Sequence, residues 1–64
     1  MIHTISSAEL LRRLRREGWV RVHRKGSHVK LKHPDRNAIV IVPHPRKDLP
    51  AGTLRAIFRQ AGGS

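Results

Sequence analysis

Residues 19–32 read WVRVHRKGSHVKLK, and this stretch decides the fold. Its first half alternates apolar and polar side chains with a period of two, the pattern of a half-buried strand. Val20 and Val22 are expected on one side of that strand, with Arg21 and His23 on the other. The alternation therefore predicts a strand that turns one face toward a core.

A turn follows at Lys25-Gly26-Ser27, where glycine allows the chain to reverse. The second half then alternates again, with His28, Lys30 and Lys32 between Val29 and Leu31. The two halves predict a hairpin with one apolar and one basic face. The predicted basic face consists of Arg21, His23, His28, Lys30 and Lys32.

A helix is predicted before the hairpin. Ser6-Ser7-Ala8-Glu9 has the spacing of a capping box, and leucines follow it at helical spacing. Gly18 is placed to end this helix in a left-handed conformation. Trp19 is then expected to fold back onto Leu14 in the core.

After the hairpin, residues 33–37 predict a turn and Ala38 to Val42 a third strand. Asp48-Leu49-Pro50 predicts the start of a second helix, with Asp48 as its cap candidate. Its predicted apolar stripe is Leu54, Ile57, Phe58 and Ala61, and its predicted end is Gly62-Gly63. The expected fold is a two-layer α+β domain over residues 1–64, in the order αβββα, with two helices on one face of a three-stranded antiparallel sheet. Double-stranded-RNA-binding domains have this order of elements.

Composition points to a polyanionic partner. The chain has 64 residues, a net charge of +10 and no cysteine, and ten of its fourteen basic residues are arginine. Such a charge attracts nucleic acid, and binding should weaken as salt rises. The longest apolar run, Ala38 to Val42, is too short for a membrane span, and the N-terminus lacks a signal-peptide pattern. We therefore expect a cytoplasmic protein that binds nucleic acid and does not enter membranes.

His28 is the candidate for chemistry. It follows a tight turn and has basic neighbours at Arg24, Lys25 and Lys30. An unperturbed imidazole titrates at about pH 6.5, so it can accept a proton from a ribose 2′-hydroxyl or donate one to a leaving oxygen. The four carboxylates lie on predicted helix ends or turns, so none is an obvious orienting partner.

Other polar residues have simpler interpretations. No metal is expected, because the histidines do not have a recognised zinc-ligand spacing. The histidines considered are His23, His28, His33 and His44. Ser27 is interpreted as a turn former whose hydroxyl could touch phosphate. The start of the second helix, with Lys47 and Thr53, could hold a phosphate on free amides. The candidate RNA contacts are Arg21, Arg24, Lys25, Gly26, Ser27, Lys30, Lys32, Lys47 and Thr53.

Several segments occur together over nearly the whole length of the sequence. They are Glu9-Leu10-Leu11, Gly18-Trp19, Lys25-Gly26-Ser27-His28, His33-Pro34, Val42-Pro43-His44-Pro45-Arg46-Lys47-Asp48-Leu49-Pro50, Gly52-Thr53-Leu54 and Ile57-Phe58-Arg59-Gln60-Ala61-Gly62. The Gly-Ser-His turn and the Val-Pro-His-Pro segment, in this order and separation within so short a protein, are a fairly specific pair. In these residues the sequence resembles the HicA family of toxins.

The resemblance implies a function. HicA toxins belong to type II toxin–antitoxin systems and are described as small mRNA-cleaving ribonucleases with a double-stranded-RNA-binding-like fold, one catalytic histidine and a HicB antitoxin partner. The family's catalytic histidine falls on His28, and His44 matches in position without an assigned role. No cofactor is implied. The alternatives are a non-catalytic RNA-binding module that uses the same basic face, or a small basic domain that serves only in protein assembly.

Overall fold

The computed structural model describes residues 4–62. Its elements are α1 (Ser7–Arg16), β1 (Val20–Lys25), β2 (His28–His33), β3 (Arg36–Pro43) and α2 (Ala51–Gln60). The strands form one antiparallel sheet in the order β1-β2-β3. This confirms the predicted α+β fold with a three-stranded meander between two helices. Neither helix is long and apolar enough to cross a membrane.

Both helices cover the same face of the sheet. Val29 pairs with Val42 and Leu31 with Val40, so these four side chains lie on one face, and all are fully buried. They form one apolar cluster with residues of both helices, including Leu10, Leu14, Leu54 and Ile57, and with Trp19. We call the opposite, uncovered side of the sheet the open face.

The start of α1 follows the predicted cap in part. Ser6 Oγ accepts a hydrogen bond from the Glu9 amide at 3.1 Å, as an N-cap does. The Glu9 carboxylate, however, accepts from Arg12 at 2.8 Å and from Arg13 at 3.5 Å, which differs from the reciprocal contact of a capping box. The hydrogen bond from Arg12 lowers the pKa of Glu9 below its usual value. Glu9 therefore offsets part of the positive charge of this helix.

The end of α1 is fixed by Gly18. Gly18 has φ +102°, and the Trp19 amide donates to the Leu14 carbonyl at 3.0 Å, as in a Schellman motif. His33 also stabilises the end of α1, because its Nε2 lies 2.8 Å from the Glu17 carbonyl oxygen. Its Nδ1 accepts from the Asp35 amide at 3.0 Å, so Nε2 carries the proton and donates. The ring also packs edge-on against Trp19, at a centroid distance of 5.3 Å.

The predicted orientation of β1 is wrong at its start. Val20 and Val22 are 55% and 48% exposed and do not contribute to the core. Val20 lies opposite Lys32 and Arg21 opposite Leu31, so Val20 is on the open face and Arg21 is on the helix side. The register then shifts by one residue between Arg21 and His23. Val22 is thus the extra residue of a β-bulge.

Two further boundaries differ from the prediction. The turn after β2 is shorter than residues 33–37, because His33 pairs with Arg36 and β3 begins there. The N-cap of α2 is Pro50 and carries no side-chain cap, whereas Asp48 Oδ1 accepts from Thr4 Oγ1 at 3.4 Å. At the other end, Arg36 Nη1 donates to the Ala61 carbonyl at 2.8 Å. Gly63, the second glycine predicted to end α2, lies outside the described residues.

The two aromatic residues differ in burial. Trp19 is 2% exposed and belongs to the core, as predicted. Phe58 is 41% exposed, so the prediction that it belongs to the apolar stripe by which α2 packs on the core is wrong. The buried residues of α2 are Leu54 and Ile57, and Ala61 follows at its C-cap. A shorter stripe than the predicted one is therefore enough to hold this helix on the sheet.

Substitution of Gly18 by alanine should destabilise the protein. A Cβ at this position would lie 2.7 Å from His33 Nε2, and φ is +102°. The left-handed backbone alone costs a residue with a Cβ about 1–2 kcal/mol, and the contact with the ring adds to it. We expect thermal unfolding, followed by circular dichroism, to show a melting temperature several degrees lower.

Gly52→Ala is the matched control. A Cβ at Gly52, in the first turn of α2, meets nothing within 4 Å. Alanine there should stabilise the helix by about 0.5–1 kcal/mol. Equal melting temperatures for the Gly18 and Gly52 variants would contradict the role of Gly18 at the end of α1.

Candidate active site

The open face displays three rows of cross-strand neighbours, each running from β1 through β2 to β3. The rows are Val20, Lys32 and Ile39; then His23, Lys30 and Ile41; then Lys25, His28 and Pro43. Two histidines and three lysines therefore share one face with apolar residues on β3. Because directly paired residues of antiparallel strands project to the same side, the pairing alone fixes this set.

A shallow depression occupies the turn end of the open face. It is lined by His23, Lys25, Gly26, Ser27, His28, Lys30 and Ile41. Among the described residues, no carboxylate contributes to this lining, so nothing within it neutralises the two lysines. A site with this charge favours an anionic group such as a phosphate.

The β1–β2 turn presents His28 at the edge of the depression. Gly26 has φ +56° and Ser27 has a negative φ, the pattern of a two-residue type II′ hairpin turn with glycine first. His28 is the first residue of β2, and its side chain is exposed. Its cross-strand neighbours are Lys25 on β1 and Pro43 on β3. The imidazole is thus held by the central strand while it remains open to a large substrate.

His44 supports the turn through its backbone. The His44 amide donates to the Ser27 carbonyl at 2.8 Å. Its side chain is turned toward α1, where Nδ1 lies 2.7 Å from Ser7 Oγ. The chain after β3 is therefore tied both to the turn that carries His28 and to the first turn of α1.

Ser7 is the centre of this connection. It is 1% exposed and is the one buried polar or charged residue among residues 4–62. Its Oγ accepts from the Arg46 amide at 2.8 Å, and its own amide donates to the Arg46 carbonyl at 3.0 Å. With the bond to His44, one hydroxyl fixes the segment that follows β3.

The two sequence segments that define the resemblance, the Gly-Ser-His turn and the Val-Pro-His-Pro segment, are thus joined by a hydrogen bond. Comparison with protein families gives a match over residues 7–62 to the family described as the HicA toxin of bacterial toxin–antitoxin systems. The chain is a member of the HicA toxin family. A comparison with curated protein sequences found no match.

Family membership gives this HicA protein the role of a toxin with a cognate antitoxin as its partner. The match extends from the first residue of α1 to the glycine after α2. It therefore includes the turn, the open face and the Ser7 connection.

The structure brings part of the predicted RNA-contact set together in this HicA protein. Lys25, Gly26, Ser27 and Lys30 share the depression with His28. Lys32 lies on the same face, one row farther from the turn. These five residues and His28 therefore form one continuous surface.

The other predicted contacts lie elsewhere. Arg24 pairs with Val29 and Arg21 with Leu31, so both are on the helix side of β1, and the prediction that Arg21 shares a face with His28 is wrong. Lys47 lines a separate hollow beside the start of α1. Thr53 is in the first turn of α2, on the covered side of the sheet. A single bound phosphodiester could not contact all of these positions.

The other two histidines among residues 4–62 are engaged separately. His33 is bonded to the Glu17 carbonyl and the Asp35 amide, and His44 is bonded to Ser7. Within residues 4–62, no three His, Cys, Asp or Glu side chains are grouped to hold a metal ion.

Two residues of the depression are missing from the predicted site. His23 was expected on the same face as His28, and the register confirms that position, but its place in the same depression depends on the bulge. Ile41 was expected in a strand without an assigned side, and it is 44% exposed beside Lys30. Because side chains alternate along a strand, the exposed side of Ile41 follows once its neighbours Val40 and Val42 are assigned to the core.

Substitution of Ser7 by alanine should loosen the segment behind the site. It removes the acceptor of the Arg46 amide and the partner of His44 Nδ1. Loss of buried hydrogen-bond partners costs about 1–3 kcal/mol. Chemical denaturation should show this decrease in the free energy of unfolding.

Ser27→Ala serves as its control, because Ser27 is exposed in the turn and its change should stay within about 0.5 kcal/mol. A Ser7 variant as stable as the Ser27 variant would contradict the role of Ser7.

Proposed function

We propose that this HicA protein is a ribonuclease that cleaves mRNA and uses His28 as a general acid or base. The observation that carries the proposal is an exposed histidine in a depression with Lys25 and Lys30, at the Gly-Ser-His turn on which the resemblance to the family rests. RNA is a polyanion, and the chain carries a net charge of +10. Long-range attraction would bring RNA to the protein, and the depression would receive one phosphodiester.

The reaction that fits these groups is attack of a ribose 2′-hydroxyl on its own adjacent phosphate. The 2′-oxygen forms a bond to phosphorus while the bond to the 5′-oxygen of the next nucleotide breaks. An imidazole can take the proton from the attacking hydroxyl or supply one to the departing oxygen. The RNA provides the nucleophile, so the protein supplies only proton transfer and charge.

The lysines would supply the charge. Lys25 pairs with His28 across the hairpin, and Lys30 follows two residues after His28 on the same face of β2. Negative charge increases on the phosphate oxygens as the pentacoordinate state forms, and fixed cations stabilise that state more than the starting diester. The lysines can fill this role in a depression whose described lining residues include no carboxylate to orient the imidazole.

The open face also suits the antitoxin. Ile39 and Ile41 are 45% and 44% exposed beside Lys32 and Lys30. A partner with apolar side chains over the isoleucines and acidic side chains over the lysines would cover His28 at the same time. We propose a HicB-type antitoxin that inhibits the toxin by occupying this face.

A non-catalytic RNA-binding module is the second candidate, because the same lysines and the +10 charge would hold phosphates without any chemistry. The two candidates differ in one respect. Only the ribonuclease requires an imidazole at position 28.

Replacement of His28 by alanine should abolish cleavage and leave RNA binding largely intact. Loss of a general acid or base lowers the rate by about 10²–10⁴-fold. The measurement is cleavage of an unstructured RNA in EDTA by wild type and His28→Ala. Affinity is measured in parallel with the same sequence in 2′-deoxy form, which cannot be cleaved by its own 2′-hydroxyl.

Arg55→Ala is the control for this assay. Arg55 is exposed on α2, away from the open face, and its substitution should leave cleavage unchanged. Equal cleavage by wild type and a folded His28→Ala variant would contradict the role of His28. Salt-sensitive binding with no cleavage by either protein would favour the RNA-binding module.

Lys25→Ala and Arg24→Ala should differ in their effect on RNA affinity. They are adjacent and each removes one positive charge, but Lys25 lines the depression and Arg24 lies on the helix side of β1. Loss of one phosphate contact reduces the slope of log affinity against log salt by about 0.7 for single-stranded RNA. We expect this reduction for the Lys25 variant and a smaller one for the Arg24 variant.

The measurement is fluorescence anisotropy with the 2′-deoxy oligonucleotide at several salt concentrations. A larger reduction of the slope for Arg24→Ala would place the RNA on the other side of β1 and contradict the open-face site.

A further inference from the structure

His23 is a second imidazole in the same depression as His28, and the proposed function assigns it no role. It is exposed on β1, and it lies directly opposite Lys30 on β2. Lys25 and Ile41 also line the depression. Among the described residues that line the depression, His23 and His28 are the two imidazole side chains, and an imidazole can serve as a general acid or a general base.

Four polar residues of the hairpin form a square on the open face. His23 pairs with Lys30 and Lys25 pairs with His28, so the histidines occupy one diagonal and the lysines occupy the other. Diagonal neighbours on adjacent antiparallel strands are about 7–8 Å apart at Cα, within reach of long and aromatic side chains. The two imidazoles can therefore approach one bound group from opposite sides.

The bulge at Val22 creates this arrangement. Val20 is on the open face, and strict alternation from Val20 would place His23 and Lys25 on the helix side. The extra residue reverses the phase, so that both residues join His28 and Lys30. Bulges that redirect side chains in this way are frequent beside active sites.

The chemistry of phosphodiester cleavage requires two proton transfers at opposite sides of phosphorus. The attacking and leaving oxygens lie roughly in line through the phosphorus atom. One imidazole cannot be within about 2.6–3.2 Å of both oxygens in a suitable geometry during a single step. A site with only His28 would leave one of the two transfers to water.

We propose that His23 is a second catalytic residue and that His23 and His28 form an acid–base pair across the bound phosphodiester. One imidazole removes the 2′-hydroxyl proton as the 2′-oxygen bonds to phosphorus. The other donates its proton to the 5′-oxygen as the bond between phosphorus and that oxygen breaks. The products are a 2′,3′-cyclic phosphate and a 5′-hydroxyl, and no water or further reactant is consumed. The proposal rests on the ribonuclease function.

Lys25 and Lys30 complete the arrangement from the other diagonal. Their ammonium groups would contact the non-bridging phosphate oxygens, which lie to the sides of the line between the attacking and leaving oxygens. In this arrangement the two histidines transfer protons and the two lysines stabilise the negative charge on the phosphate.

The test compares two RNA dinucleotides with wild type, His23→Ala and His28→Ala. The first has the ordinary 5′-oxygen leaving group, and the second has sulfur at that bridging position. A thiol has a pKa of about 8.5, so a thiolate leaves without a proton donor. Both variants should cleave the oxygen substrate about 10²–10⁴-fold more slowly than wild type. The sulfur substrate should restore near-wild-type cleavage in one variant, the one that lacks the acid, and not in the other.

Two controls separate chemistry from structure. Arg55→Ala changes an exposed residue of α2, away from the open face, and should cleave both substrates like wild type. His23→Gln keeps a polar side chain that cannot transfer a proton, and it should behave like His23→Ala. Circular dichroism and the melting temperature establish that each variant is folded.

The outcomes are distinct. Wild-type cleavage by His23→Ala, with loss in His28→Ala, would overturn the pair and leave the ribonuclease function in place. Rescue of both variants or of neither would also overturn the division into acid and base. No cleavage of either substrate by wild type would overturn the ribonuclease function itself, and the pair with it.

Discussion

Burial of one face of the sheet under two helices is the constraint on which the rest of the structure depends. Val29 and Leu31 on β2 are fully buried together with Val40 and Val42 on β3. Because side chains alternate along a strand, burial of these four fixes the intervening residues on the other face, and a shift of one residue would reverse both sets. His28, Lys30 and Lys32 are therefore displayed on the open face by the packing of the core.

Strand β1, at one edge of the sheet, is less constrained by the core. The proposed chemistry of the site depends on this freedom. All six residues of β1 are exposed, so neither side of this strand is held by a core. An extra residue at Val22 is tolerated there, and it brings His23 and Lys25 next to His28 and Lys30. The central strand β2 thus holds His28 and Lys30 in place. The bulge in β1 turns His23 and Lys25 to the same face and completes the square of histidines and lysines.

These differences explain what the sequence could predict. The faces of β2 and the buried side of α1 followed from periodicity, because burial enforces it at Val29, Leu31 and Leu14. The sequence could not predict which residues of β1 lie on which face of the sheet. Val20 and Val22 are exposed, so their apolar character did not indicate the side of the core. The start of α2 was also missed, because the Leu49 amide is bonded to the Ile5 carbonyl at 2.9 Å, a contact between residues far apart in sequence. Such contacts, like the one between Ser7 and His44, have no local pattern.

The central claim is that RNA binds the open face at the β1–β2 turn. The most direct test is an NMR titration of the labelled protein with a 2′-deoxy oligonucleotide that cannot be cleaved. The account predicts the largest backbone amide shifts in residues 23–30 and at Ile41, with small shifts along α1 and α2. The largest shifts at the arginines of α1 or at the start of α2, with little change at His28, would contradict it.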